Sequence, residues 1–156
     1  MIETSEVEGN LVIVTEDGLI LRIKASEFGK TPMIGIDTWE GDRISDMISL
    51  YDTLEPQVII FSENGMAIRF DISQVPFMDL GSHGVRGIRL EKEKRVIGAV
   101  PYYSEYSKQD EIFFVLTKLG YVKVVHPGDV RQTTRGGKGV RIIDTEKYGD
   151  IIAVSN

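Results

Sequence analysis

The chain of 156 residues contains no cysteine. That excludes a disulfide framework and a thiolate metal site, and it fits a reducing cytoplasm. Histidine is almost absent. His83 lies in the turn-like "GSHGV" and His126 precedes Pro127-Gly128. Neither has a sequence partner that would make it a base or a metal ligand, so both read as surface turn residues. Long apolar runs are missing too. The longest, Ile112 to Leu116, is far short of the roughly 18 residues a membrane helix needs. The N-terminal "MIETSEVEGN" is acidic and lacks the basic-then-apolar pattern of a signal peptide. These absences predict a soluble cytoplasmic protein with no membrane partner. Alanine is scarce, and no helical period persists beyond about two turns, which argues against a helical fold.

What is abundant is glycine, with 16 residues, set among valine, isoleucine and aromatic side chains. This is the composition of short strands joined by tight turns, and the chain reads as all-β. Its length and its 42% hydrophobic content suit a single domain over residues 1–156 with a real core.

The chain repeats itself. "LVIVTEDGLILRIKASEFG" (11–29), "VIIFSENGMAIRFDISQVP" (58–76) and "IFFVLTKLGYVKVVHPGDV" (112–130) share one pattern. Each has an apolar run, then Thr or Ser, two residues, Gly, and a second apolar run carrying a cation. The anchor glycines are Gly18, Gly65 and Gly120. Asp17-Gly18 and Asn64-Gly65 predict type I′ hairpin turns, which need two positive φ angles; Leu119-Gly120 fits that turn poorly. The first strand of each hairpin reads as buried and the second as half-exposed. A second half follows, "HGVRGIRLEKEKRVIGAV" (83–100) and "KGVRIIDTEKYGDIIAV" (138–154); the first repeat keeps a shortened version, "PMIGIDTWEGDRISDMI" (32–48). The repeats span 1–56, 57–108 and 109–156. About four strands per repeat of roughly 40–50 residues is the signature of propeller-like blades. Three blades are fewer than a closed propeller uses. The ring is open, or two chains complete it as a homodimer, or the chain is a piece of a larger domain. The ending "IIAVSN", directly after a strand, favours a fragment or a paired assembly.

Charge is uneven. The first repeat has 4 basic and 12 acidic residues, net -8, while the second and third each have 7 and 6, net +1. Cations recur at matching places: Arg22 and Arg69 four residues after their glycines, Lys123 three after, and Arg86 and Arg141 within Gly-Val-Arg. Such recurrence either builds a track for phosphates or simply solvates the surface. The stretch "RQTTRGGKGV" (131–140) is the most basic. It is no nucleotide loop, because Gln132 stands where a P-loop needs glycine and Gly139 where it needs a hydroxyl; the dinucleotide pattern fails at Ile142. "EKEKR" (91–95) reads as a solvated hairpin tip, and Trp39 as either a binding aromatic or a packing residue at a blade edge. No residue set implies a catalytic centre, metal site or cofactor.

"FSENGMAIRF" followed by "GVRGIRL", within 61–90, closely resembles a blade of the C-terminal domain of the DNA gyrase A subunit. "GDRISDMI" and "RQTTRGGKGVRII" resemble parts of other blades of that domain. The resemblance covers about 11–155. It implies a β-pinwheel, usually of six blades that exchange strands, which is non-catalytic by itself and carries no cofactor. It implies an accessory domain that bends and wraps double-stranded DNA around a basic rim without reading sequence, beside the other subunits of gyrase or of topoisomerase IV in the bacterial cytoplasm and nucleoid. Carried over by position, the implied DNA-binding residues are Arg69, Arg86, Arg89, Lys123, Arg131, Arg135, Lys138 and Arg141. The stretch from Gln132 to Gly139 is one residue longer and one arginine poorer than the family's hallmark box, and it lies in the last repeat. The acidic first repeat and the three blades are further departures. The alternative is a protein-interaction module of the same fold, using that acidic repeat without wrapping DNA.

Overall fold

The computed structural model describes residues 8–51, 55–104 and 111–155. Each of the three sequence repeats opens with a hairpin. These are β1 (Asn10–Thr15) with β2 (Leu19–Lys24), β4 (Gln57–Ser62) with β5 (Met66–Asp71), and β8 (Phe113–Thr117) with β9 (Val122–Val125). A third strand returns beside the first of each pair: β3 (Ile44–Leu50), β7 (Val96–Tyr102) and β11 (Ile151–Ser155). Two short strands, β6 (Val85–Arg86) and β10 (Val140–Arg141), and a one-turn helix α1 (Thr145–Tyr148) complete the set.

The turns differ from the type I′ expectation. The glycine N–H donates to the carbonyl three residues back: Gly18 to Thr15 at 3.0 Å, Gly65 to Ser62 at 3.1 Å, and Gly120 to Thr117 at 2.9 Å. Only the glycines have positive φ, at 92°, 84° and 88°; Asp17, Asn64 and Leu119 do not. One left-handed position per turn suffices, so Leu119 sits without strain. The repeated Thr or Ser supplies the rest. Its hydroxyl accepts from the N–H just past the glycine: Thr15 from Leu19 (3.1 Å), Ser62 from Met66 (3.2 Å), and Thr117 from Tyr121 (3.3 Å). A buried hydroxyl thus closes each hairpin.

The sheets are antiparallel, ordered β3-β1-β2-β6, β7-β4-β5-β10 and β11-β8-β9. The first two hold four strands, but the fourth comes from the next repeat. β6 belongs to the second repeat and pairs with β2; β10 belongs to the third and pairs with β5. This covering strand explains why all of β2 but Lys24 is buried where a half-exposed strand was expected; β5 is buried at three of its six residues. Among the described residues β9 has no such cover, and only Val125 of it is buried. The donated strand approaches closely. A Cβ on Gly84 would lie 2.7 Å from the Ile20 carbonyl oxygen, and one on Gly139 would overlap that of Ala67.

The core lies between sheets. Val12, Ile20, Ile60, Phe70 and Ile88 form a shared cluster between the first and second sheets. Ile59, Phe61, Phe113 and Ile143 form another between the second and third, where Phe61 and Phe113 meet edge-to-face. β7 packs beside both β3 and β11. "EKEKR" is an exposed turn, and its last residue has a further role. Arg95 reaches Glu16 of the first sheet (3.7 Å) and Glu63 of the second (4.0 Å), so it ties two blades together.

Two outcomes follow for stability. Thr15→Val orphans one buried N–H and should cost about 1–2 kcal/mol. Thr117→Val also loses the bond Thr117 donates to the Tyr148 carbonyl (2.6 Å), so its urea midpoint should fall further than that of Thr15→Val. Gly139→Ala combines a positive φ of 76° with a backbone clash. It should destabilise by about 2 kcal/mol or more, which thermal melting would show.

Candidate nucleic-acid interface

The donated strands carry the Gly-Val-Arg cations to the outer edges of the sheets. Arg86 pairs with Leu19 across the first edge and Arg141 with Met66 across the second. Both side chains are exposed, as are Arg89, Lys123, Arg131 and Lys138. Arg86 Nη1 donates to the Asp17 carbonyl (2.6 Å), which holds the guanidinium at the first hairpin tip.

The basic loop is stitched to that same edge. Arg135 donates through Nη1 to the Arg86 carbonyl (2.8 Å) and through Nε to the Gln74 carbonyl (3.0 Å). Its own N–H donates to Gln74 Oε1 (2.7 Å). Gly136 N–H donates to the Gly87 carbonyl, and Arg89 N–H to the Gly137 carbonyl, both at 2.8 Å. The loop therefore lies along the donated strand of the neighbouring blade. Arg89 and Lys138 line one shallow depression, and Arg86 and Arg89 line the next with Lys94. Four of the eight sequence candidates, Arg86, Arg89, Arg135 and Lys138, thus share one stretch of surface. Arg135 plays a structural part in it, because its donors are turned onto backbone carbonyls.

The cation four residues past the hairpin glycine is a different group. Arg22 is 5% exposed. Its Nε donates to Asn10 Oδ1 (3.0 Å), it approaches Glu55 (3.6 Å), and its guanidinium lies 4.2 Å from the Phe77 ring centre. Arg69 has the matching place on β5. It is half-buried, with Nε buried and unpartnered among the described residues, and lies 5.7 Å from the Tyr102 ring centre. Arg22 serves the seam between blades through its side chain, whereas Arg69 meets the next blade through its backbone carbonyl, which accepts from the Thr133 N–H at 2.8 Å. Lys123 does not share their place. β9 pairs Val115 with Lys123 where β5 pairs Ile60 with Ile68, so Lys123 stands where the other blades bury an apolar residue. Its Nζ donates to the Ile142 carbonyl.

Sequence reasoning missed the role of His83. It stacks on Trp39, with ring centres 3.7 Å apart, and its Nδ1 bonds the Asp37 carbonyl. This clasp joins the first and second repeats, and Trp39 in it remains 58% exposed. His126 lies at the start of a short turn and is held by Asp129, whose Oδ2 accepts its N–H at 2.9 Å. Among the described residues no group of acidic or histidine side chains could hold a metal ion, and no helix is long and apolar enough to cross a membrane.

Repeated four-stranded sheets completed by a strand from the next repeat define a propeller-type all-β protein. A model of the DNA gyrase C-terminal domain, beta-propeller, matches residues 9–50, 56–101 and 111–156, and the chain belongs to that family. It is 27% identical over 146 residues to the A subunit of DNA topoisomerase 4 from Streptococcus pyogenes serotype M3, and 29% identical over 145 residues to the DNA gyrase A subunit of Chlamydia trachomatis. Each match covers 91% of this chain and 17% of the relative. Among solved structures, a DNA gyrase A C-terminal domain superimposes with a TM-score of 0.77 at 21% identity, covering 92% of this chain and 47% of that one. The C-terminal domain of a DNA topoisomerase IV gives 0.60 at 18% identity, covering 98% and 63%.

Three carboxylates, Asp17, Glu91 and Glu93, line the second depression among the cations, and Glu91 also lines the first. Asp17 is raised above the usual carboxylate range, first by desolvation at the hairpin tip and then by Asp42 and Glu16, against the pull of Arg86. A raised folded-state value favours the protonated form. The stability it gives is present below the unfolded value and is lost as pH rises through the folded one. Asp17→Asn should therefore match or exceed the parent in stability at neutral pH. Urea titrations at several pH values should show that advantage vanish in acid.

Proposed function

We propose that this chain is the DNA-bending module of a type II topoisomerase A subunit, contacting duplex phosphates without reading sequence. The observation that carries this reading is the run of Arg86, Arg89 and Lys138, braced by Arg135, along the seam where one repeat lends its strand to the one before it. Spaced cations on a rigid edge suit a phosphate backbone. The module acts without a cofactor and does no chemistry. It holds a DNA segment for the catalytic part of a gyrase or topoisomerase IV, whose other subunits are its protein partners. Arg131 and Arg141 extend the surface. Arg69 supports it from within a seam.

A second reading is a protein-interaction module. The first repeat, net -8, also exposes Met33, Ile34 and Met47, an acidic and apolar surface that suits a basic protein better than DNA.

Gel shift with long and short duplexes at low salt separates the two. The DNA reading expects binding, stronger to the long duplex, and affinity that falls steeply with salt. Arg89→Gln and Lys138→Gln spare the backbone bonds of the loop. Each should flatten the slope of log K against log salt by about 0.9. No binding to either duplex, or slopes unchanged in both variants, would sink the DNA reading.

A further inference from the structure

The two complete blades show what β9 lacks. On β2 and β5 the donated strand buries Ile20 and Ala67 completely; Val122, in the same place on β9, is 62% exposed. Gly18 and Gly65 each face the carbonyl oxygen of a donated isoleucine, Ile88 or Ile143, whereas no described residue lies within 4 Å on that side of Gly120. Beside it opens a groove of 460 Å³ whose lining includes Tyr121, Val122, Lys123 and Arg141.

The first repeat holds a matching segment that covers no sheet edge among the described residues. Gly81 N–H donates to the Gly35 carbonyl as Gly136 does to Gly87, and Asp37 N–H to Ser82 as Arg89 does to Gly137. This equivalence puts Met33 and Ile34 in the places of Val85 and Arg86. They are 50% and 72% exposed. Ile36, in the place of the fully buried Ile88, is only half-buried.

We propose that a second copy of this chain fills the groove. Met33 and Ile34 of one protomer pair antiparallel with Tyr121 and Val122 of its partner, and the reciprocal contact closes two chains into a ring of six blades. Ile36 enters the groove beside Gly120, as Ile88 and Ile143 do beside Gly18 and Gly65. Charge fits this occupant: the donating repeat has net -8 and Asp37 follows Ile36, while two cations, Lys123 and Arg141, line the groove against one carboxylate, Asp144. Pro32 lacks an N–H and cannot take the positive φ of Gly84, so pairing stops at Met33. The resulting two-residue strand is as long as β6 and β10. An unpaired edge recruits a strand in this way because its backbone groups are otherwise left to water. The proposal rests on the blade geometry and not on the DNA reading.

Light scattering and sedimentation of the full chain across a wide concentration range test it. The expected mass is twice the 17.5 kDa of one chain, with no larger species. Ile34→Asp and Val122→Lys alter exposed side chains and should leave the circular dichroism spectrum unchanged. Each variant alone should have half the parent's mass. A head-to-tail contact predicts complementation: mixing the two variants restores one intact interface, and dimers return. A parent that stays monomeric at all concentrations, open-ended growth beyond two chains, or dimers that survive both substitutions would overturn the proposal.

Discussion

The fold depends on a short strand placed on a neighbour's edge. β6 and β10 are two residues long, yet each closes a sheet it does not belong to by sequence. The contact is possible because Gly84 and Gly139 let two backbones meet where a side chain would clash. Once it forms, β2 and β5 become interior strands, and the isoleucine that follows enters the core between sheets. A blade of this kind cannot finish itself, so stability is shared between repeats rather than stored within each one.

The same exchange organises the charged surface. The donated strand carries an arginine to the outer edge, and the glycine-rich loop before the next donated strand lies along it. Three arginines at the seams are engaged: Arg22 by Asn10 and Glu55, Arg95 by Glu16 and Glu63, and Arg135 by backbone carbonyls. The cations therefore divide by physical task. Those with donors turned inward fix the blades, and those left exposed on the edge remain available to an outside anion.

Much of the fold was legible in the residues. The spacing of a Thr or Ser three residues before Gly marked every hairpin, because a hydroxyl and a left-handed glycine at that separation close the same turn each time. Gly-Val-Arg marked the recurring strand. The type I′ expectation failed because Asp-Gly and Asn-Gly also fit a turn with one positive φ, and sequence does not separate the two. The candidate site was legible only in part. Lys123 looked like a slightly displaced copy of Arg22 and Arg69, but one residue in a strand reverses the face.

The sequence by itself determined three repeats, all-β structure, the turn positions and the places of the cations, since these rest on local spacing and backbone preference. Only the tertiary structure decided which strand covers which edge, and hence that Arg22 is buried while Arg86 is exposed. Strand pairing is made between residues far apart in the chain. Period-two alternation says which way a side chain points, but what lies on that side is settled by the neighbouring blade.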